Sequence, residues 1–311
     1  MNEPIILADR PAHPATPLGD AGGGAIRSAP AAARLLPWAL LTPNAIWLAT
    51  FMFAPVALLF IISFKGYAAG HGIIDAWQLS NYERFLFDPF YHKILADTIW
   101  IGLEVTAVCL MLGFPVALAL SRARGWKRSV LYFGMLMPLL TSVVARTFGW
   151  MILLANNGFI NHLLIAARLT DAPAHLMYNQ RGVIIALAEV LLPFMVLALD
   201  AALLNIDPSL HEAAENLGAH RLRIFLRVTL PLAMPGVVSG SVLVFTLAIS
   251  SFVTPALIGG ARLNLMSTMI YQQAMTLLNW PFGAAIAFIM LATIMALLLA
   301  ALRLTERRRG P

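Results

Sequence analysis

Six apolar runs, each near the roughly 20 residues that a helix needs to cross a hydrocarbon core, constrain this chain more than any other feature. They fall at about 43–63, 96–120, 130–154, 183–204, 237–258 and 282–304. A bilayer offers no partner to backbone N–H and C=O groups, so such runs are viable only as helices that satisfy those groups internally. The expected fold class is therefore all-α and integral to the membrane. Composition agrees: 12% of residues are charged, against about 25% in soluble domains. Residues 1–37 are rich in Ala, Pro and Gly without apolar periodicity and read as a disordered cytoplasmic tail. They lack the basic start and adjoining apolar core of a signal peptide. The membrane body is expected over 38–305, with a short basic tail at 306–311.

Placement of Lys and Arg predicts the orientation. With the N-terminus inside, the cytoplasmic segments hold three before the first run, four at Arg122–Arg128, three at Arg221–Arg227 and four after Leu302. The external loops hold six, and Arg146 lies within a run. The positive-inside rule thus puts both termini and the 205–236 segment in the cytoplasm. The same rule accounts for the net charge of +6 without a nucleic-acid partner, since the cations sit beside apolar runs rather than on one basic face. The external loops 66–95 and 156–182 carry several aromatics, among them Trp77, Phe85, Tyr91 and Tyr178. Some suit the membrane interface, and the rest offer a contact for a soluble partner.

The longest polar interruption, 205–236, reads as two short helices. Asp207 is a good N-cap and Pro208 suits the first helical position. Leu210, Ala213, Ala214 and Leu217 recur at helical spacing on one face, with Glu212, Glu215 and Asn216 opposite. Gly218 stands where the chain must turn left-handed. A second amphipathic piece alternates Leu222, Phe225 and Leu226 with Arg221, Arg223 and Arg227 until Pro231 stops it.

These letters also resemble a family signature. Glu212-Ala213-Ala214, three residues, Gly218, nine residues, then Val228-Thr229-Leu230-Pro231 is similar to the EAA loop of binding-protein-dependent ABC importer permeases, with valine in place of the usual isoleucine. Further stretches resemble the spermidine/putrescine branch: Leu112–Ala117, Val144–Trp150, Asn157–Asn161, Leu191–Met195, Ser251–Gly260 and Asn279–Ala285. The likeness runs from about Leu35 to the C-terminus. It implies a type I importer fold with six transmembrane helices and a cytoplasmic coupling helix between the fourth and fifth. It implies docking of Leu210, Glu212, Ala213, Ala214, Leu217 and Gly218 onto an ATPase subunit, which would bind ATP and Mg. It also implies a second permease subunit, a distinct sister in this branch, and a periplasmic solute-binding protein. The setting is the bacterial inner membrane, and the expected cargo is a polyamine or another small organic solute.

Ionisable groups inside the membrane cost about 2.5–3.5 kcal/mol each even on lenient scales, so each needs a reason. Glu104 lies in the second run, Arg146 in the third, Glu189 and Asp200 in the fourth. Arg146 can pair with Glu104 or with Glu189 as a structural tie. Alternatively Arg146 and the acids, with Trp100, Trp150 and Phe252 as aromatic neighbours, line a path for a polycation through charge and cation–π attraction. Gly236 and Gly240, four apart, predict close helix approach, and Pro193 and Pro255 predict kinks around the path.

Other chemistries lack their residues. No lysine follows a glycine, so no phosphate-binding loop is present. His211-Glu212-Ala213-Ala214-Glu215 ends in Glu where a zinc-protease motif needs His, and the single cysteine, Cys109, lies in an apolar run. No catalytic residue, metal site or cofactor is expected in this chain. An ion-coupled secondary transporter is the rival reading, but the inverted repeats that would favour it are not evident.

Overall fold

The computed structural model describes residues 31–307. Most of the expected N-terminal tail, and the end of the basic C-terminal tail, therefore lie outside the described residues. The chain forms two compact units that divide at Pro55/Val56. Helix α1 (Ala31–Ser63) begins inside the stretch expected to be a tail. In the first unit the rings of Trp47 and Phe51 meet with centroids 4.4 Å apart and planes tilted by 39°.

The second unit continues through a hairpin of β1 (Lys65–Ala68) and β2 (Gly72–Trp77). Gly70 and Gly72, both at positive φ, make the turn. Lys65 pairs with Asp75, which holds that carboxyl below its ordinary pKa. Helices α2 (Ser80–Phe87), α3 (Pro89–Arg122), α4 (Trp126–Leu136), α5 (Val143–Leu154), α6 (Phe159–Ala166) and α7 (Gln180–Leu204) follow. Then come α8 (Pro208–Asn216), α9 (Arg221–Ile224), α10 (Leu230–Leu232), α11 (Met234–Ser250), α12 (Met266–Tyr271) and α13 (Trp280–Arg307). The fold is all-α apart from the hairpin. Among the described residues five helices are long and apolar enough to cross a membrane, six when the bent pair Arg221–Leu232 and Met234–Ser250 counts as one span.

The core is the mutual packing of α3, α7 and α11, with Val105 and Cys109, Leu187 and Met195, and Val244 and Ala248 buried between them. Small residues permit this closeness. A Cβ on Gly236 would lie 2.5 Å from Ala202 Cβ and 2.8 Å from the Ala198 carbonyl oxygen, and one on Gly240 would lie 2.8 Å from Met195 Sδ. The close approach expected at these glycines is present. Outward-facing Trp100, Met111 and Phe148 remain exposed, as lipid-facing side chains of a membrane protein do.

Two expected spans are not continuous. The run 130–154 breaks into α4, a 3₁₀ turn at Met137–Leu140 and α5, and the window long enough to cross falls on Val143–Ala166 instead. Pro138 lacks a donor, and the Thr141 hydroxyl donates to the Pro138 carbonyl at 2.7 Å, competing with the helical ladder. The run 237–258 starts earlier and ends at Ser250. Ser251 is extended, and Pro255 opens a π-helical turn at Pro255–Gly259 rather than a kink in one long helix. Pro193 sits within α7 without interrupting it. Pro231 does not stop the second piece of the polar interruption: a π-turn at Phe225–Thr229 leads into α10, and the chain bends by 65° at Ala233.

Candidate functional site

Helix α8 is built as its sequence requires. The Asp207 side chain accepts from Ser209 N–H at 2.9 Å, with Pro208 at the first helical position. That bond holds the Asp207 carboxyl below its usual pKa. The cap is therefore complete at neutral pH and is lost only as pH falls through the lowered value. At the other end Gly218 has φ +76°. Its N–H donates to Glu215 O at 2.9 Å and Ala219 N–H donates to Ala214 O at 3.0 Å, the paired bonds of a Schellman stop.

Leu210, Glu212, Ala213 and Leu217 are exposed, Leu217 at 88%. Ala214 and His211 turn inward and are half-buried. His211 Nε2 meets Thr229 Oγ1 at 3.0 Å, tying α8 to the following π-turn. The expected apolar face is thus split: Leu210, Ala213 and Leu217 point out, while Ala214 faces the protein. Leu222 and Leu226 are exposed as well, so the two short helices offer an apolar surface ringed by Arg221, Arg223 and Arg227. Beneath them a cleft of about 870 Å³, lined by Arg122, Leu203, His211, Glu215 and Phe225, separates α8 and α9 from the ends of α3 and α7.

The charges inside the apolar runs are fastened to α7 at three levels. Glu104 Oε2 accepts from Gln180 Nε2 at 2.6 Å. Glu189 Oε2 lies 3.6 Å from Arg146 Nε and accepts from Trp150 Nε1 at 3.2 Å. Asp200 pairs with Arg128 Nη2 at 3.2 Å and accepts from the Tyr132 hydroxyl. At about 1.5 Å per residue these α7 positions are separated by roughly 13 and 16 Å along the helix. Of the residues expected along a path, Arg146, Trp150 and Glu189 come together, whereas Glu104, Asp200 and Phe252 have other partners and Trp100 is exposed. Phe252 stacks on Tyr271 at 4.3 Å.

Arg146 also holds the backbone at the break between α4 and α5, because its Nη1 donates at 2.7 Å to the Pro138 carbonyl that the Thr141 hydroxyl also reaches. Of the two acids expected as its partner, the one it meets is Glu189. Asp200, 1% exposed, sits in a buried tie. Sequence reasoning missed its partners, although Arg128 and Tyr132 stand four apart on one helix face and touch at 3.3 Å. Gln180, the partner of Glu104, carried no signal in the sequence.

The tie has a testable asymmetry. Breaking a buried pair costs about 3–5 kcal/mol because the surviving charge stays buried. Arg128 is 30% exposed and Asp200 only 1%, so Arg128→Met is expected to lower thermal stability far more than Asp200→Asn. Arg128→Met with Asp200→Leu is expected to recover most of the loss. Thermal unfolding of the purified protein in detergent reads this, and a double variant as unstable as Arg128→Met alone would show the pair to be incidental.

Comparison with known proteins supplies the remaining observations. The family model for the binding-protein-dependent transport system inner membrane component matches residues 110–310. The spermidine/putrescine transport system permease protein PotB of Escherichia coli (strain K12) is 36% identical over 253 residues, 81% of this chain and 91% of that protein. Its namesake from Haemophilus influenzae is 34% identical over the same length, covering 81% and 88%. In structure, a chain of a bacterial alginate ABC transporter, in complex with its alginate pentasaccharide-bound periplasmic protein, superposes with a TM-score of 0.70. It covers 89% of this chain and 96% of that one at 20% identity.

Proposed function

This chain belongs to the family of binding-protein-dependent transport system inner membrane components, and on that premise we propose that it is the permease subunit of an ATP-driven importer whose cargo is a polyamine. The 36% identity to a spermidine/putrescine permease across 91% of that protein carries the cargo reading. The exposed, capped and sharply stopped helix α8 supports the coupling role: it offers Leu210, Glu212, Ala213 and Leu217 to a partner. In this reading the partner is a cytoplasmic ATPase that binds ATP and Mg. Closing of the ATPases pulls α8, and the 65° joint at Ala233 passes the motion into α11. Moving such an equilibrium from 1:99 to 99:1 takes about 5.5 kcal/mol of differential free energy. The joint must therefore be stiff, and the His211–Thr229 bond and the Schellman stop supply that stiffness.

Both termini and α8 face the cytoplasm, as the Lys and Arg asymmetry indicates. The hairpin, with Ile73, Ile74 and Trp77 exposed, then lies outside and contacts a periplasmic solute-binding protein. A distinct sister permease completes the path. Within it Glu189, 29% exposed and aligned by Arg146 and Trp150, is the carboxylate placed to attract a passing ammonium group.

Uptake of labelled spermidine by cells carrying the complete transporter tests the assignment. Uptake is expected to vanish when this chain is deleted and to fall severalfold in Glu189→Gln, with Glu104→Gln affected less and Asp200→Asn altered through stability. Unchanged uptake in all three neutralised variants would remove the carboxylates from the path. Spermidine uptake indifferent to deletion of the chain would remove the cargo assignment.

A further inference from the structure

The cleft of about 870 Å³ beneath α8 and α9 falls within the range of about 300–1,000 Å³ that small-molecule sites occupy. Its walls carry opposite charges. Glu212 and Glu215 stand on α8, whereas Arg122 ends α3 and Arg221 opens α9. These charges do not neutralise one another: among the described residues the ion pairs within 4.0 Å are Lys65–Asp75, Arg128–Asp200 and Arg146–Glu189. The floor is apolar, made by Leu118 of α3, Leu203 and Leu204 of α7 and Phe225 of the π-turn. Phe225 meets Phe114 edge to face at 5.2 Å, while Leu204 and Leu222 stay exposed.

Charge of both signs over an apolar floor narrows the occupant. Guanidinium groups suit a phosphate, and a carboxylate suits an ammonium group. A nucleotide or a purely anionic lipid would set phosphate beside Glu212 and Glu215. A free polyamine would set ammonium groups beside Arg122 and Arg221. A zwitterion carrying phosphate and ammonium on a short link satisfies both walls, and the apolar floor calls for hydrocarbon attached to it. The cleft also opens where the apolar helices α3 and α7 end, which is the level of lipid headgroups. Basic pockets between spans on the cytoplasmic side take such headgroups.

We propose that this cleft holds an aminophospholipid of the inner leaflet, of the phosphatidylethanolamine class. Its phosphate lies between Arg122 and Arg221, its ammonium group on Glu215, and the start of an acyl chain on Leu118, Leu203 and Phe225. Glu212, at the same rim, is left to the ATPase. So seated, the lipid braces α8 against the ends of α3 and α7, and a pull on α8 reaches the spans instead of tilting α8 alone. The proposal rests on the importer reading and on the cytoplasmic placement of α8.

Lipid titration of the delipidated permease–ATPase complex in detergent, read by native mass spectrometry, tests the site. Phosphatidylethanolamine is expected to bind about tenfold more tightly than phosphatidylglycerol, which lacks the amine, or phosphatidylcholine, whose methylated amine has no N–H to donate. Glycerophosphoethanolamine, the headgroup without chains, is expected to bind more weakly still. Arg122→Gln is expected to weaken phosphatidylethanolamine and phosphatidylglycerol alike. Glu215→Gln is expected to weaken phosphatidylethanolamine about tenfold, or ~1.4 kcal/mol, and to leave phosphatidylglycerol no weaker, a split that a packing defect would not produce. Equal affinity for the three lipids, a preference for phosphatidylglycerol, or glycerophosphoethanolamine binding as tightly as the intact lipid would each overturn the proposal. Spermidine uptake by the complete transporter in proteoliposomes is expected to be severalfold faster with phosphatidylethanolamine than without it, and equal rates would overturn the bracing. No uptake in any lipid would count against the cargo reading and leave the binding result standing. Labelling of Glu215→Cys by an impermeant thiol reagent in intact cells, where the native Cys109 is buried, would overturn the inner-leaflet placement.

Discussion

Gly236→Val is expected to leave little folded protein in the membrane. Helix α11 rests on α7 at this glycine, and the added Cβ alone would stand 2.5 Å from Ala202 Cβ and 2.8 Å from the Ala198 carbonyl oxygen. A backbone oxygen cannot rotate away as a flexible side chain can, so the whole helix must lift. Overpacking typically costs about 1–3 kcal/mol, and this case belongs at the upper end because backbone is what collides. Lifting α11 would also open the contacts of Gly240 with Met195 and Ala198, one turn further along. The measurement is the yield of monodisperse protein after detergent extraction, together with its thermal midpoint. Gly236→Ala is expected to be milder, and adding Ala202→Gly is expected to restore part of the loss by removing the nearest atom. Normal yield from Gly236→Val would mean that the α7–α11 contact is looser than described.

Gly218→Val is expected to give the opposite combination: normal membrane abundance with uptake lowered at least tenfold. Nothing crowds Gly218, since a Cβ there would meet no atom within 4 Å. The difficulty is the backbone, at φ +76°. A left-handed conformation costs an L-residue about 1–2 kcal/mol, and a β-branched side chain is the worst case. The strain falls on the two Schellman bonds from Gly218 and Ala219 to Glu215 and Ala214. The last turn of α8 would fray, where Leu217 is presented to the proposed ATPase. Because α8 lies outside the α3–α7–α11 core, folding is expected to survive. Gly218→Asn, which tolerates this region, is expected to retain most uptake. Stimulation of ATP hydrolysis by cargo-loaded binding protein is expected to be lost along with uptake. Normal stimulation in Gly218→Val would detach α8 from coupling.

The two substitutions divide the molecule into a frame and a proposed lever, and the sequence discloses these parts unequally. The lever was legible residue by residue. Asp207, Pro208 and Gly218 act within one or two turns of themselves, so their letters suffice to place the cap, the first turn and the stop. Even there the inward turn of Ala214 escaped, because it depends on what α8 leans against at Thr229. The frame was legible as a set of apolar lengths but not as continuous helices. Hydropathy does not register the break at Met137–Ser142, since Met137, Leu139 and Leu140 and the residues on either side remain apolar. The signal was Pro138 followed by Thr141, whose hydroxyl competes for a helical carbonyl.

The intramembrane charges mark the limit most clearly. Glu104, Arg146, Glu189 and Asp200 were conspicuous for being charged in apolar surroundings, yet their letters left open which acid Arg146 meets. The choice of Glu189 follows from the fold of α4 against α5, which brings the Pro138 carbonyl and Glu189 to one guanidinium. Asp200 is tied to Arg128, a residue that served in the sequence only as a topology signal.

The sequence by itself determined that this chain is a bundle of membrane helices carrying one capped polar helix, because hydropathy over a span and hydrogen bonding at a helix end are local quantities. Only the tertiary structure decided where spans break and which charges pair. Those outcomes depend on the packing of residues far apart in the chain, and a buried charge takes whichever partner that packing brings within reach.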